Sequence, residues 1–302
     1  MSTEPSTVDE VVDGLREHGY LAGTGLATAV YLAVRLRRPL FLEGEPGAGK
    51  TELARVLAAW TGGDLIRLQC YEGIDAAQAL YEWDHPRQLL HLRAAEASGT
   101  AGDAGALEQE LYDERFLVRR PLLRAITAPA GEPAPVLLVD EVDRADDEFE
   151  AFLLEVLSDF AVTIPELGTF RAEVPPLVVL TSNRTRDVHD ALKRRCLYHW
   201  VEHPDLEREV AIVRLRAPEV PEHLARQVAA AAHALRDLGL YKPPGVAETI
   251  DWAEALRLLG VDELAEDAAA ATLGAVLKYR EDVERVERVG IGDLVAAAHA
   301  GR

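Results

Sequence analysis

The sequence contains few cysteines, few basic residues relative to acidic ones, and no long apolar run. Its two cysteines, Cys70 and Cys196, lie neither in a CxxC motif nor in a cluster with histidines. Disulfide frameworks and structural zinc sites need several such residues at short spacing, so the sequence predicts neither of them. Sparse, scattered cysteines are typical of a reducing compartment, and we therefore expect a cytoplasmic location.

Basic residues are outnumbered, since the 302 residues include 32 Lys and Arg against 52 Asp and Glu, a net charge of −20. A protein whose main partner is nucleic acid or an anionic membrane needs a positive surface. The charge disfavours both partners, although a few local groups can still hold a small anionic ligand. The longest apolar runs, such as residues 27–34, are far shorter than the ~20 residues that span a bilayer. The N-terminus lacks the basic and apolar regions of a signal peptide, so we expect no membrane segment.

Strands and helices alternate over the first two thirds of the sequence. Short apolar runs predict five buried strands, at residues 39–42, 65–68, 136–139, 177–180 and 198–201. Helical patterns lie between them, among them residues 118–128 and 147–160. This alternation predicts an α/β domain with a five-stranded parallel sheet. Two further stretches look like insertions, a helical one at about 72–113 and a hairpin at about 161–175.

After residue 204 the pattern changes, and no strand-like run follows. Helices are predicted at residues 206–216, 222–238, 247–259, 263–277 and 291–300. We therefore expect an α/β domain at 1–204 and a small all-α domain at 205–302. The charge divides in the same way, because residues 1–205 hold 35 acidic and 20 basic side chains, and residues 206–302 hold 17 and 12.

One glycine-rich segment matches the pattern GxxxxGK[ST], follows a predicted strand and opens a predicted helix. Its residues, assigned to nucleotide binding together with Glu52, are Gly44, Glu45, Pro46, Gly47, Ala48, Gly49, Lys50 and Thr51. Backbone N–H groups of such a loop and the start of the helix cradle phosphate oxygens. Lys50 can reach the β and γ phosphates, and the Thr51 hydroxyl can ligate Mg²⁺. The segment therefore predicts binding of ATP and Mg²⁺.

Polar side chains also close two of the other predicted strands. Asp140 and Glu141 end the strand at 136–139, and Asn183 follows the strand at 177–180. Asp140 would hold Mg²⁺ mainly through its water shell, and Glu141 would orient and polarise the attacking water. Asn183 could bond that water or the γ-phosphate. Acidic residues and asparagine often end strands for local reasons, so the assignment depends on the glycine-rich loop upstream.

Three successive cations, Lys193, Arg194 and Arg195, precede the last predicted strand. Cations suit the C-terminal end of a helix because they complement its dipole. The alternative is an arginine finger, which stabilises charge on a transferring phosphoryl group, usually in a neighbouring subunit. The second interpretation requires an oligomer.

These four elements, in this order and followed by a helical domain, resemble the AAA+ ATPases. The insertions are similar to those of the helix-2-insert clade, and the segments LEGEPGAGKTE at 42–52 and SNRTRDVHDALKRR at 182–195 resemble its MoxR family. The stretches CYEG at 70–73 and YEWD at 81–84 are similar to the CoxD-like branch. The resemblance implies a homo-hexameric ATPase ring with a chaperone-like role. Such a ring remodels a partner or helps to insert a metal cofactor into a metalloenzyme client, often together with a von Willebrand factor A domain protein.

The resemblance also implies a role for each matching residue. By position, these are Lys50 and Thr51 on phosphate and Mg²⁺, Asp140 and Glu141 as the Walker B pair, Asn183 as sensor 1, Arg195 as the arginine finger with Arg194 as the second choice, and Tyr20 and Leu21 at the adenine base. The sequence departs from the family at sensor 2. Many relatives carry an arginine where this chain has Glu248, and Lys242 and Arg257 are the candidate substitutes.

Two other functions stay open at the level of sequence. The first is a nucleic-acid motor, because helix-2-insert proteins include DNA translocases. Its hairpin, however, would carry several cations, whereas residues 164–173 contain one Arg and two Glu. The second is a nucleotide-gated scaffold with little turnover, which the missing sensor-2 arginine would favour.

Overall fold

The computed structural model describes residues 4–98 and 104–300. Its helices are α1 Val8–Glu17, α2 Thr24–Leu36, α3 Lys50–Thr61, α4 Ala76–Leu80, α5 His85–Ser98, α6 Ala104–Leu111, α7 Pro121–Ile126, α8 Asp147–Asp159, α9 Asp190–Arg195, α10 Leu206–Arg216, α11 Glu222–Asp237, α12 Val246–Leu258, α13 Glu266–Val276, α14 Arg280–Val289 and α15 Ile291–Ala300. Its strands are β1 Leu40–Gly44, β2 Leu65–Gln69, β3 Tyr81–Trp83, β4 Leu117–Arg119, β5 Val136–Asp140, β6 Ala161–Ile164, β7 Gly168–Arg171, β8 Leu177–Ser182 and β9 Leu197–Val201.

The main sheet has five strands in the order β2-β5-β8-β1-β9. The pairs β2–β5, β5–β8 and β8–β1 are parallel. Every residue of β1 and β5 is buried, as expected of strands whose two faces are both covered by helices. The predicted α/β fold with a five-stranded parallel sheet is therefore confirmed.

The register of the sheet brings three chain segments to one edge. Glu43 of β1 pairs with Ser182 of β8, and Val139 of β5 pairs with Leu180. Because parallel strands end on the same side, Asp140, Ser182 and the end of β1 all lie at the carboxyl edge of the sheet. This edge is where ligands bind in open α/β sheets.

The insertion at about 72–113 is not entirely helical, and this part of the prediction was wrong. Between α4 and α5 the chain forms β3, which pairs antiparallel with β4. The helix predicted at 118–128 is wrong at its start, because β4 occupies that place and α7 begins only at Pro121, which suits the first position of a helix. Strands of three residues are too short to show the alternation that identifies a strand in sequence.

The predicted hairpin is present. Strands β6 and β7 pair antiparallel, from Ala161 opposite Arg171 to Ile164 opposite Gly168. The hairpin follows α8, which ends at Phe160 in a left-handed conformation, with φ at 45°. It connects the helix after β5 to the strand β8 that leads to Asn183.

Six helices, α10–α15, form the C-terminal region. Their core is built around the fully buried Trp252, whose indole N–H donates to Thr272 at 2.7 Å. Helix α14 was not predicted from the sequence. It is highly charged, and in its sequence REDVERVERV only the valines supply an apolar stripe. The helix predicted at 263–277 begins at Glu266.

The chain forms two compact units. The first consists of the residues up to Val11 with Thr24–Glu43 and Ala54–His199, and the second of Val12–Gly23, Gly44–Leu53 and the residues from Trp200 onward. The glycine-rich loop thus belongs to the same unit as the C-terminal helices. The domain boundary near residue 204 stays a prediction. In residues 4–98 and 104–300, no helix has the length and apolar character needed to cross a bilayer.

Candidate active site

The glycine-rich loop connects β1 to α3. Gly47 and Gly49 have φ of +77° and +92°, a conformation that L side chains rarely adopt. A Cβ on Gly47 would lie 2.6 Å from the Cα of Gly245, so the position also excludes a side chain for lack of space. The ammonium of Lys50, a residue only 5% exposed, donates to the carbonyls of Gly44 at 2.7 Å and Glu45 at 2.8 Å. The loop thus holds a buried cation against its own backbone, where it can pair with a phosphate group.

Asp140 ends β5 as a buried carboxylate, 3% exposed. Its Oδ1 accepts a hydrogen bond from Thr181 Oγ1 at 2.6 Å, and its Oδ2 accepts from Arg67 Nη2 at 2.6 Å and Arg67 Nε at 3.0 Å. Sequence reasoning did not identify Thr181 or Arg67. Their contact with Asp140 follows from the strand order, since Arg67 lies on β2 and Thr181 on β8, and these strands are the two neighbours of β5.

Glu141 follows Asp140 with φ at 55° and ψ at 50°, a left-handed conformation that costs a non-glycine residue about 1 kcal/mol or more. Its backbone N–H donates to Thr181 Oγ1 at 2.9 Å. Its Oε1 accepts from Asn183 Nδ2 at 3.4 Å, and its Oε2 lies 3.1 Å from Arg144 Nε. The structure therefore brings together Glu141 and Asn183, which the sequence placed on different strands.

Asp143 is a further buried carboxylate, 2% exposed, that the sequence analysis did not single out. Its Oδ2 accepts from Thr185 N at 2.8 Å, Thr185 Oγ1 at 2.7 Å and Asn183 N at 3.3 Å. These bonds tie the loop after β8 to the turn after β5. They fix the backbone of Asn183 while its side chain reaches Glu141.

The three cations before β9 have different surroundings in the structure. Lys193 lies 4.0 Å from the buried carboxylate of Glu43, which also accepts from the Tyr198 hydroxyl at 3.0 Å. Arg194 and Arg195 are exposed, and among the described residues their guanidinium groups bond to none of Asp140, Glu141 and Asn183. They lie at the C-terminal end of α9.

Arg38 fixes the end of α9. Its guanidinium donates to the carbonyls of Arg194 at 2.8 Å, Arg195 at 3.0 Å and Cys196 at 3.3 Å, which are groups that a helix end leaves without intrahelical partners. Together with Arg37, these arginines line a cleft of about 270 Å³ whose other walls include apolar side chains of α8.

A family model for the AAA domain, dynein-related subfamily, matches residues 39–196, which is more than half of the chain. The chain belongs to this family. Among solved structures, it is similar to the Holliday junction branch migration motor RuvB of Thermotoga maritima, at 16% identity, covering 90% of this chain and 72% of that chain with a TM-score of 0.46. It is also similar to a Cytophaga hutchinsonii protein provisionally described as an ATPase, at 15% identity, covering 96% and 93% with a TM-score of 0.48.

The glycine-rich loop of this AAA+ protein contacts the turn before α12, close to Glu248, the residue that the sequence predicts at the sensor-2 position. Glu248 Oε2 accepts from Gly245 N at 3.0 Å and lies 3.7 Å from the place that a Cβ on Gly47 would occupy. The two candidate substitutes have other contacts in the described residues, since Arg257 pairs with Glu219 at 3.0 Å and the backbone N–H of the exposed Lys242 donates to Asp282 at 3.0 Å. The structure thus presents a carboxylate to the loop.

Of the predicted adenine contacts, Tyr20 and Leu21, the first lies next to the glycine-rich loop. The Tyr20 ring is 3.7 Å from the Cβ position of Gly49, and burial raises the pKa of its hydroxyl to about 12. The carbonyl of Leu21 accepts from Arg208, and Glu52 pairs with Arg216 at 2.7 Å. Contact with the base stays a prediction for both residues.

The residues of the AAA+ site fit a nucleotide with Mg²⁺. The glycine loop has a backbone conformation and a buried lysine suited to phosphate, and the hydroxyl of Thr51 and the carboxylate of Asp140 are oxygen groups of the kind Mg²⁺ prefers. No group of three or more His, Cys, Asp or Glu side chains in the described residues could hold a metal ion. Mg²⁺ in such sites is usually bound by one or two protein oxygens, by phosphates and by water.

Proposed function

We propose that this AAA+ protein is an ATPase of the MoxR type, in the CoxD-like branch. It couples ATP binding and hydrolysis to chaperone-like remodelling of a partner protein, in metal-cofactor insertion or enzyme maturation. The observation that carries the hydrolytic part is the group at the edge of the sheet. Glu141 is held by Asn183 through its side chain and by Thr181 through its backbone, beside a buried Asp140.

Each residue of the site has a role in this proposal. Lys50 and the backbone N–H groups of the loop bind the phosphates. Glu141 accepts a hydrogen bond from the attacking water and orients it, and Asn183 fixes the carboxylate of Glu141. Thr51 and Asp140 would hold Mg²⁺, which neutralises charge on the phosphate oxygens when bound. Asp140 already accepts from Thr181 and Arg67, which supports a contact through water.

In a ring, Arg195 can act as the arginine finger on the nucleotide of a neighbouring subunit, with Arg194 as the second choice. Both arginines are exposed, and Arg38 holds their backbone carbonyls. A guanidinium offered to solvent in this way can reach the nucleotide of a neighbouring copy. We therefore propose a homo-hexamer, the assembly that the MoxR resemblance implies.

The surface chemistry supports a protein client over nucleic acid. The hairpin β6–β7 and the residues after it carry Glu166, Arg171 and Glu173, so the hairpin offers no cluster of cations to a phosphate backbone. The whole chain carries −20. We propose a von Willebrand factor A domain protein or a metalloenzyme as the partner, in the cytoplasm, in keeping with two free and buried cysteines.

The hydrolytic role is tested by removing one function at a time. Glu141→Gln should retain ATP binding and lower turnover by about a hundredfold or more, because the amide cannot polarise water. Lys50→Ala should weaken ATP binding itself. Glu148→Gln, the same chemical change at an exposed position of α8, is the matched control. Nucleotide titration and phosphate release measure both quantities, and full turnover in Glu141→Gln would refute the assignment.

The ring and the client need a second experiment. Arg195→Ala should lower hydrolysis without changing ATP affinity, at concentrations where sedimentation shows the same assembly as the unmodified protein. Phosphate release should rise when a purified von Willebrand factor A domain partner is added. If Arg195→Ala and Arg194→Ala both hydrolyse ATP normally, the finger lies elsewhere. A rate near background with and without the partner would favour a nucleotide-gated scaffold.

A further inference from the structure

A buried ion pair lies among the C-terminal helices, outside the residues so far assigned to the site. Glu209 of α10 is fully buried, and Arg236 of α11 donates to its two oxygens at 2.7 Å each. Thr249 of α12 donates to Glu209 Oε1 at 2.7 Å. His233 Nε2 lies 2.8 Å from Oε2. Three helices thus meet at one carboxylate, and we call Glu209, Arg236 and Thr249 the lid relay.

The lid relay is bonded to the turn that precedes α12. Arg236 uses its third nitrogen, Nε, to donate to the carbonyl of Pro244 at 2.8 Å. Thr249 Oγ1, whose one proton is donated to Glu209, also lies 3.1 Å from the carbonyl oxygen of Gly245. The turn at residues 244–246 is therefore held from inside the helical region by the hydrogen bond of Arg236 and contacted there by Thr249.

The same turn bonds to the phosphate loop. The N–H of Val246 donates to the carbonyl of Gly47 at 3.0 Å. A Cβ on Gly245 would lie 2.6 Å from the Cα of Gly47 and 2.9 Å from its carbonyl oxygen, so the two backbones touch with no room for a side chain. The phosphate loop and the lid relay are thus joined by one backbone hydrogen bond and one close contact.

We propose that Arg236 is a positioning residue for nucleotide binding. Through Pro244 and Glu209 it holds the turn against Gly47, and the turn in return holds the phosphate loop in the conformation that accepts phosphate. This inference rests on the proposed nucleotide site. It explains how the chain contacts the loop from its C-terminal helices without a cation at Glu248, because backbone groups make the contact.

A purely structural ion pair would behave differently. Loss of a buried pair lowers the stability of any helical core, and nucleotide affinity of the folded molecules would then stay the same. A positioning role instead changes two properties of the folded state, the protection of the Val246 amide and the affinity for ATP. Both can be measured on protein that is shown to be folded.

The test compares Arg236→Gln with Arg226→Gln. Arg226 lies on the same helix and also donates two bonds to a carboxylate, that of Glu207, but this pair is exposed and bonds to no residue of the turn at 244–246 in the described residues. Amide hydrogen exchange of Val246 is recorded on nucleotide-free protein. ATP affinity is measured in a Glu141→Gln background, in which we expect hydrolysis to be slow. We expect about tenfold faster exchange and about tenfold weaker ATP binding in Arg236→Gln, and no change in Arg226→Gln.

Gly245→Ala provides a second variant that leaves the lid relay intact. Gly245 has φ of −85°, which alanine tolerates, so the effect arises from the added Cβ against Gly47. It should raise Val246 exchange and weaken ATP binding in the same direction as Arg236→Gln. If Val246 exchange is unchanged in both variants, or rises while ATP affinity stays the same, the positioning role is refuted. Absence of ATP binding in the parent protein would instead refute the proposed function, and the exchange result would still report on the contact.

Discussion

Thr181 is hydrogen-bonded to both Asp140 and Glu141, the two carboxylate residues that we propose for Mg²⁺ binding and hydrolysis. Its hydroxyl donates to Asp140 and accepts from the backbone N–H of Glu141, which holds Glu141 at its positive φ. Thr181→Val keeps the shape and removes both bonds. We expect turnover to fall by roughly tenfold to a hundredfold with little change in ATP affinity, because a displaced base orients water poorly. Steady-state kinetics that separate kcat from KM measure this effect.

A control for Thr181→Val must lose comparable bonds away from the site. Thr272→Val does so, since Thr272 is buried and accepts the indole N–H of Trp252. Each variant should lower the free energy of unfolding by about 1–3 kcal/mol, because each leaves a buried polar group without one partner. Only Thr181→Val should lower kcat. Equal kcat values in the two variants would show that the Thr181 hydroxyl serves stability alone.

The sequence predicts some members of the site and not others for a physical reason. Lys50 belongs to a local pattern of fixed spacing, and Glu141 and Asn183 each end an apolar strand, so single segments identify them. Thr181 and Arg67 act on Asp140 across strand pairs, with separations of 41 and 73 residues. Nothing within either segment indicates the partner. Their roles follow only from the strand order of the sheet.

At the scale of elements, Arg38 and α9 form a unit that the proposed finger depends on. Arg38 precedes β1 and donates to three carbonyls at the end of α9. Arg38→Ala should expose these carbonyls to water, lower the free energy of unfolding by about 1–2 kcal/mol, and let the ends of Arg194 and Arg195 move. Hydrolysis by the assembled protein should fall, whereas ATP affinity should not change.

Arg37→Ala is the matched control for Arg38→Ala. It removes the same charge from the adjacent position, where Arg37 is 66% exposed at its side chain and lies 3.7 Å from Glu4. Phosphate release and amide exchange across residues 190–201 should differ between the two variants. Similar effects of both variants would mean that the charge of the cleft matters and that the hydrogen bonds from Arg38 to the end of α9 do not.

Elements were predictable where the apolar pattern was long or the turn was distinctive. The five main strands and the hairpin are strongly apolar or bounded by a Pro–Gly turn, and the structure shows all of them. Strands β3 and β4 are stabilised by pairing with each other, from Trp83 opposite Leu117 to Tyr81 opposite Arg119, and their three-residue lengths are too short to show a period. Helix α14 is stabilised by packing of valines such as Val286, which is 1% exposed, against the other helices.

At the scale of the whole molecule, stability at low pH depends in part on Glu209. Burial alone raises the pKa of Glu209, but hydrogen bonds from Arg236, His233 and Thr249 outweigh this effect and hold the pKa at about 2, below the usual 4.5. The native state therefore binds fewer protons than the unfolded state between these values. The stabilisation, on the order of 3 kcal/mol, is complete above pH 4.5 and is lost as the pH falls towards 2.

Urea titrations of the parent protein and Glu209→Gln at several pH values test this linkage. The difference in free energy of unfolding should be constant from pH 7 to about 5 and should shrink as the pH falls below about 4.5, because a protonated glutamic acid resembles glutamine. Glu207→Gln is the control, since the Glu207 side chain is 74% exposed. A difference that stays constant down to the lowest pH at which the protein folds would place the pKa of Glu209 elsewhere.

The net charge of −20 predicts how salt affects the assembly of the proposed ring. Copies of an acidic chain repel one another, and salt screens this repulsion over the Debye length of about 10 Å at 0.1 M. Raising the salt from about 0.05 to 0.3 M should therefore lower the protein concentration at which subunits assemble. Binding to nucleic acid would respond to salt in the opposite direction, because added salt weakens it.

Sedimentation of Glu141→Gln with ATP measures the assembly. If salt dissociates the ring, then local pairs such as a neighbour's carboxylates on Arg194 and Arg195 outweigh the net charge, and each arginine variant should then assemble less and respond less to salt.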